Sequence, residues 1–168
     1  MTGTGVEHVA AELLTALERR GWSLAVAESL TGGAVCSALV AVPGASRVLR
    51  GGITSYATDL KARLLGVDDV LLDARGAVDP DVAAAMAAGV RERLSADVGL
   101  ATTGVAGPDA QDGLPPGTVH VAVATPLGVR VESLHLPGGR AAVRAAAVDR
   151  AIRLALVVVR EHGSAVPR

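Results

Sequence analysis

Between Val6 and Arg19 the apolar residues Val9, Leu13, Leu14 and Leu17 recur at three- and four-residue spacing, which places them on one helical face, and Gly21 supplies a stop. The period then changes. Leu24 to Ala27 is a short apolar run of β character, followed by Glu28-Ser29-Leu30-Thr31-Gly32-Gly33 and a helical stretch from Ala34 to Val42 that ends at Pro43-Gly44. That order reads as strand, tight turn and helix N-terminus. Val48 to Tyr56 predicts a second strand, and Thr58 or Asp59 is placed to cap a short helix through Leu65, closed by Gly66. Asp79 and Pro80 are an N-cap and a first helical residue for a helix to about Leu94. Val98 to Ala101 predicts a third strand, which leads into Thr103-Gly104-Val105-Ala106-Gly107-Pro108 and a polar loop up to Gly117. Thr118 to Ala124 and Val129 to Leu136 flank Pro126-Leu127-Gly128 as a hairpin would, and a long helix from Ala141 to Glu161 follows Gly138-Gly139.

About five strands with helices on both sides predict an α/β fold, a three-layer α/β/α sandwich, and the hairpin makes its sheet mixed. Residues 1–168 contain no linker or repeat and read as one domain with its core at about 6–160. Sixteen basic residues against 17 acidic ones leave no excess to neutralise phosphates, so no nucleic-acid partner is expected. A single cysteine, Cys36, excludes an internal disulfide, and its place in an apolar helix makes it a small buried side chain rather than a nucleophile. The longest apolar run, Leu154 to Val159, is far short of a membrane span, and the N-terminus carries no targeting pattern; a cytoplasmic protein without a membrane partner is expected. His8, His120, His135 and His162 lack metal-ligand spacing, so no metal site is expected.

What is rare narrows the chemistry. Lys61 is the only lysine among the 16 basic residues, and Tyr56, the only tyrosine, precedes it by five positions. An ammonium can lose its proton near neutral pH and a guanidinium effectively cannot, so a lone lysine in an arginine-rich chain is a candidate base. Its place in the first turn of a helix, near the positive end of the dipole, disfavours the charged form. Tyr56 is placed to fix the amine or relay a proton. Ser29, where a strand turns into a helix, exposes a hydroxyl at the sheet's rim, and the amides of Thr31, Gly32 and Gly33 are candidate oxyanion donors. On a plainer reading Ser29 or Thr31 is only a helix cap. The Thr103, Gly104, Ala106 and Gly107 segment suits close backbone approach to a ligand, and Arg140 suits a phosphate or carboxylate. No Ser-His-Asp set can be assembled by spacing; Ser with Lys is the covalent pair the chain offers.

At these residues the sequence resembles a family. The blocks Glu28 to Gly33, Gly51 to Tyr56 with Lys61 and Leu64 to Val67, Gly76-Ala77-Val78 with Met86-Ala87, Ala96-Asp97, and Thr103 to Pro108 are similar, in order, to the CinA C-terminal domain. The resemblance implies hydrolysis of the carboxamide of nicotinamide mononucleotide, without cofactor or metal, by a serine with lysine and tyrosine partners that match Ser29, Lys61 and Tyr56. It also implies a homo-oligomer. Asp79 stands where members usually carry Ser, and Asp109-Ala110-Gln111 replaces a more glycine-rich stretch, which bears on substrate choice. A binding module without turnover, linked to competence or DNA damage, and an amidase for another small amide are the alternative readings.

Overall fold

The computed structural model describes residues 5–161; His162 and the outermost positions of the 1–168 span lie outside the described residues. Five strands, β1 (Leu24–Glu28), β2 (Leu49–Thr54), β3 (Val98–Gly104), β4 (Thr118–Thr125) and β5 (Gly128–His135), form one sheet in the order β2-β1-β3-β4-β5. β2, β1 and β3 are parallel, and β4 and β5 close it as an antiparallel hairpin, so the sheet is mixed, as the pattern predicts. Six helices cover it: α1 (Gly5–Arg20), α2 (Ala34–Val40), α3 (Thr58–Leu65), α4 (Asp69–Arg75), α5 (Pro80–Arg93) and α6 (Arg140–Glu161).

Strand alternation divides the core into two unequal halves. On one face Leu24, Val26, Val98, Leu100, Val119, Val121 and Val123 pack with α1, α2 and α6, where Leu13, Leu17, Leu39 and Ile152 fill the space. The opposite face presents Ala25, Ala27, Ala101, Ala122 and Ala124 to α5 and its Val82, Met86 and Val90. Small residues let α5 lie close. A Cβ on Gly99 would come 1.9 Å from the Ala87 carbonyl oxygen, so no larger residue fits there without moving the helix backbone.

The sequence misplaces some boundaries. β3 runs three residues past Ala101, because Thr102, Thr103 and Gly104 pair with Val121, His120 and Val119 of β4. Neither Thr58 nor Asp59 caps α3: its N-cap is Ala57, which makes no side-chain bond, and both residues lie inside the helix. α4 goes unpredicted, although Asp68 caps it by accepting the Val70 N–H. Asp79 does cap α5, accepting the Asp81 N–H with Pro80 in the first turn. The parallel strands end at Glu28, Thr54 and Gly104, and open α/β sheets bind ligands beyond that edge.

Candidate functional site

Three chain segments leaving those strand ends meet at one cavity of about 590 Å³. Ser29 and Leu30 line it from the end of β1, Tyr56, Ala57, Thr58 and Lys61 from the end of β2 and from α3, and Gly104 to Gln111 from the end of β3. Arg140, the first residue of α6, closes one side. Sequence reasoning finds Ser29, Tyr56, Lys61, Gly104, Ala106, Gly107 and Arg140, and the fold brings these seven together. It does not bring the rest. Thr31, Gly32, Gly33 and Thr103 do not line the cavity. Thr103, buried in β3, donates instead to the Ala77 carbonyl at 2.6 Å. Ala77, Val78, Asp109, Ala110 and Gln111 also line the cavity; the sequence marks Ala77 and Val78 only as part of a block shared with the family, and Asp109 to Gln111 as a departure from it that bears on substrate choice.

Lys61 carries the site. It is 0% exposed, and its Nζ donates to the Ser55 carbonyl at 2.8 Å and to Ser29 Oγ at 3.1 Å. Both partners are neutral oxygens, and the ion pairs among the described residues leave Lys61 out. Burial without a counter-charge disfavours the ammonium, and its pKa falls from 10.5 to about 8. The sequence expects a lowered value from the helix dipole; the cause in the structure is desolvation. Once the amine is neutral the same contact runs the other way, from the Ser29 hydroxyl to Nζ.

The turn after Ser29 is built differently from the sequence reading. Glu28, 1% exposed, points its carboxylate at the N-terminus of α2 and accepts the N–H groups of Gly33 and Val35 at 3.0 Å and of Cys36 at 2.9 Å. The Gly32 N–H donates to the Ser29 carbonyl. Gly32 and Gly33 are therefore spent within the chain and are not oxyanion donors, and Glu28, not Ser29 or Thr31, caps the helix. The physical reason is that an internal carboxylate saturates the helix N-terminus that would otherwise attract a ligand's negative charge. Thr31 turns inward, its hydroxyl 2.8 Å from that of Thr102. The Glu28 charge together with burial, the larger effect, pushes the Cys36 thiol up to about 12, so it stays protonated and is no nucleophile.

Tyr56 also departs from expectation. It is 60% exposed, and its hydroxyl takes a bond from Arg140 Nη2 at 3.1 Å rather than from Lys61. Arg140 Nη1 donates to the Gly107 carbonyl at 2.9 Å, so one guanidinium ties the tyrosine to the glycine-rich loop. Among residues that line the cavity, the backbone N–H groups of Leu30, Ala106 and Gly107 make no hydrogen bond to another described residue. No three metal-ligating side chains gather among the described residues, and no helix there is long and apolar enough to cross a membrane.

A buried, unpaired lysine against a rim serine at the carboxyl edge of a mixed five-stranded sheet defines the class: an α/β/α domain with a serine–lysine pair. Residues 6–159 match the family described as the CinA C-terminal domain, and the chain belongs to that family. It is 55% identical over 142 residues to a CinA-like protein of Frankia casuarinae, covering 84% of this chain and 33% of that one. A putative competence-damage inducible protein of Desulforamulus reducens is 43% identical over 150 residues, 89% of this chain and 36% of the relative. The chain thus spans about a third of the length of these curated relatives. Among solved structures, the competence/damage inducible protein CihA from Agrobacterium tumefaciens superposes with a TM-score of 0.89 at 32% identity, covering 95% of this chain and 98% of that one. A CinA superfamily protein from Klebsiella pneumoniae gives 0.90 at 28% identity, with 94% and 99% covered.

Proposed function

We propose that this chain is an amidohydrolase that converts nicotinamide mononucleotide to nicotinic acid mononucleotide and ammonia. The observation that carries the reading is the 3.1 Å contact between Ser29 Oγ and a fully buried lysine whose pKa is lowered to about 8. Family membership supports the choice of substrate.

Neutral Lys61 Nζ takes the Ser29 proton as Oγ attacks the carboxamide carbon. The carbonyl becomes an oxyanion, for which the unbonded N–H groups of Leu30, Ala106 and Gly107 are among the donors that line the cavity. The proton held on Lys61 passes to the leaving nitrogen, directly or through the Tyr56 hydroxyl, the C–N bond breaks and ammonia departs. Water then attacks the Ser29 ester and gives a proton to Lys61; the bond from the acyl carbon to Oγ breaks, Lys61 returns the proton to Oγ, and the carboxylic acid leaves. Arg140 and the Gly104 to Gly107 backbone hold the nucleotide's phosphate away from the reacting carbon and orient it. Asp109, Ala110 and Gln111 line the same cavity and bear on which amide enters.

Ammonia release from the mononucleotide by the pure protein tests the reading, with Ser29→Ala as control. Turnover lost in the variant supports it. Binding without turnover by the wild type makes the chain a non-catalytic nucleotide module, and turnover of other amides alone moves the substrate class. A homo-oligomer is part of the same proposal and is read by light scattering.

A further inference from the structure

Arg144 reaches from α6 to the turn that carries Ser29. Its Nε donates to the Leu30 carbonyl and its Nη2 to the Thr31 carbonyl, each at 2.9 Å. These are the two peptide oxygens that directly follow the serine. A planar guanidinium fixes two acceptors relative to one another, which a point charge cannot do. The guanidinium also lies against the turn itself. Gly32 has a φ of +60°, and a Cβ there would stand 3.5 Å from Arg144 Nη2. On the N–H side of the same turn, Glu28 holds Gly33, Val35 and Cys36. The segment from Leu30 to Cys36 is thus held by its carbonyls from α6 and by its amides from β1.

Arg144 stands four positions after Arg140, on the same helical face. Arg140 holds the Gly107 carbonyl and Tyr56 while Arg144 holds the serine turn. One helix therefore sets the spacing between the nucleophile and the loop across the cavity.

We infer that Arg144 is a positioning residue for Ser29: without lining the cavity, it holds the turn so that Oγ stays within reach of Lys61 Nζ. The inference rests on Ser29 being the nucleophile, not on which amide is hydrolysed. The experiment follows covalent labelling of Ser29 by a fluorophosphonate with intact-mass detection. In that step Oγ bonds to phosphorus, fluoride leaves and the serine proton goes to Lys61. Wild type, Arg144→Lys and Arg144→Ala are compared, with ammonia kinetics and thermal unfolding run in parallel.

Labelling and kcat should both fall about 10- to 100-fold in Arg144→Lys, with KM within about 3-fold of wild type. Millimolar guanidinium, and not sodium chloride at equal ionic strength, should restore part of the labelling rate of Arg144→Ala. Wild-type labelling rates in Arg144→Lys overturn the positioning role, as does a loss that merely tracks the fraction unfolded or is not rescued by guanidinium. A wild type that is labelled but releases no ammonia from the mononucleotide removes the substrate reading, and the labelling comparison still decides Arg144. A wild type that is not labelled at Ser29 removes both.

Discussion

Lys61 Nζ and Ser29 Oγ lie 3.1 Å apart although 32 positions separate them in the chain. The contact joins the first residue beyond β1 to the fourth residue of α3 across the end of β2, whose next residue, Ser55, gives its carbonyl as the amine's other partner. The lysine must be neutral to accept a proton and is charged below about pH 8.

Ammonia release should therefore depend on pH with a definite sign. Below about pH 8 only the neutral fraction of Lys61 is competent, roughly a tenth of the enzyme at pH 7. The expected kcat/KM rises about tenfold per pH unit at low pH and levels off above about 8. A profile flat from pH 6 to 9 would rule out Lys61 as the base.

Removing either partner separates chemistry from folding. Ser29→Ala and Lys61→Arg should each lower ammonia release by at least about 10³-fold. Ser29→Ala should keep the wild-type unfolding transition. Lys61→Arg keeps a positive charge and removes the base, so residual activity near wild type would assign the proton transfer elsewhere.

The same burial is a stability statement. In the unfolded chain Lys61 titrates near 10.5 and in the folded one near 8, so between those values the unfolded state binds more protons and stability rises with pH. Below pH 8 the folded state carries the full burden, about 3 kcal/mol. Lys61→Met is expected to be more stable than wild type at pH 7, by about 1–3 kcal/mol after the lost hydrogen bonds are counted. The gain should shrink toward pH 10.5, as read by urea unfolding at both pH values.

Glu28→Gln tests the internal cap. The amide keeps shape but loses the charge that accepts three N–H groups, and one of its ends is a donor facing donors. Urea unfolding at pH 7 should show a loss of about 1–3 kcal/mol.

Arg140→Ala should act on binding. Its guanidinium lines the cavity and ties Tyr56 to the Gly107 carbonyl, so its loss should raise KM for the mononucleotide about tenfold or more with a smaller change in kcat. An unchanged KM would place the phosphate elsewhere.

Much of this was legible from local pattern. Apolar spacing at Val9, Leu13, Leu14 and Leu17 gives α1, and Asp79 with Pro80 gives the start of α5, because amphipathicity and capping depend on residues within a turn or two of one another. The hairpin of β4 and β5 follows from the turn residues between them, and with it the mixed sheet. The rarity of Lys61 and Tyr56 picks out two residues that line the cavity, whereas the glycines after Ser29 serve the turn, at positive φ and outside the cavity lining.

Other features depend on distance across the fold. Spacing cannot show that Glu28 fills the N-terminus of α2, since a side chain five residues before Gly33 reaches it only through the sharp turn at Ser29. Nor can it show that Tyr56 meets Arg140, 84 positions on, or that Arg144 holds the carbonyls after Ser29. The cause of the lowered lysine pKa belongs with these. Composition supplied a lone amine, and only the tertiary packing took it out of water. Sequence fixes what each residue can do within its own turn or strand; which distant groups share a dry space is set by the tertiary fold, and charge and proton affinity follow from that space.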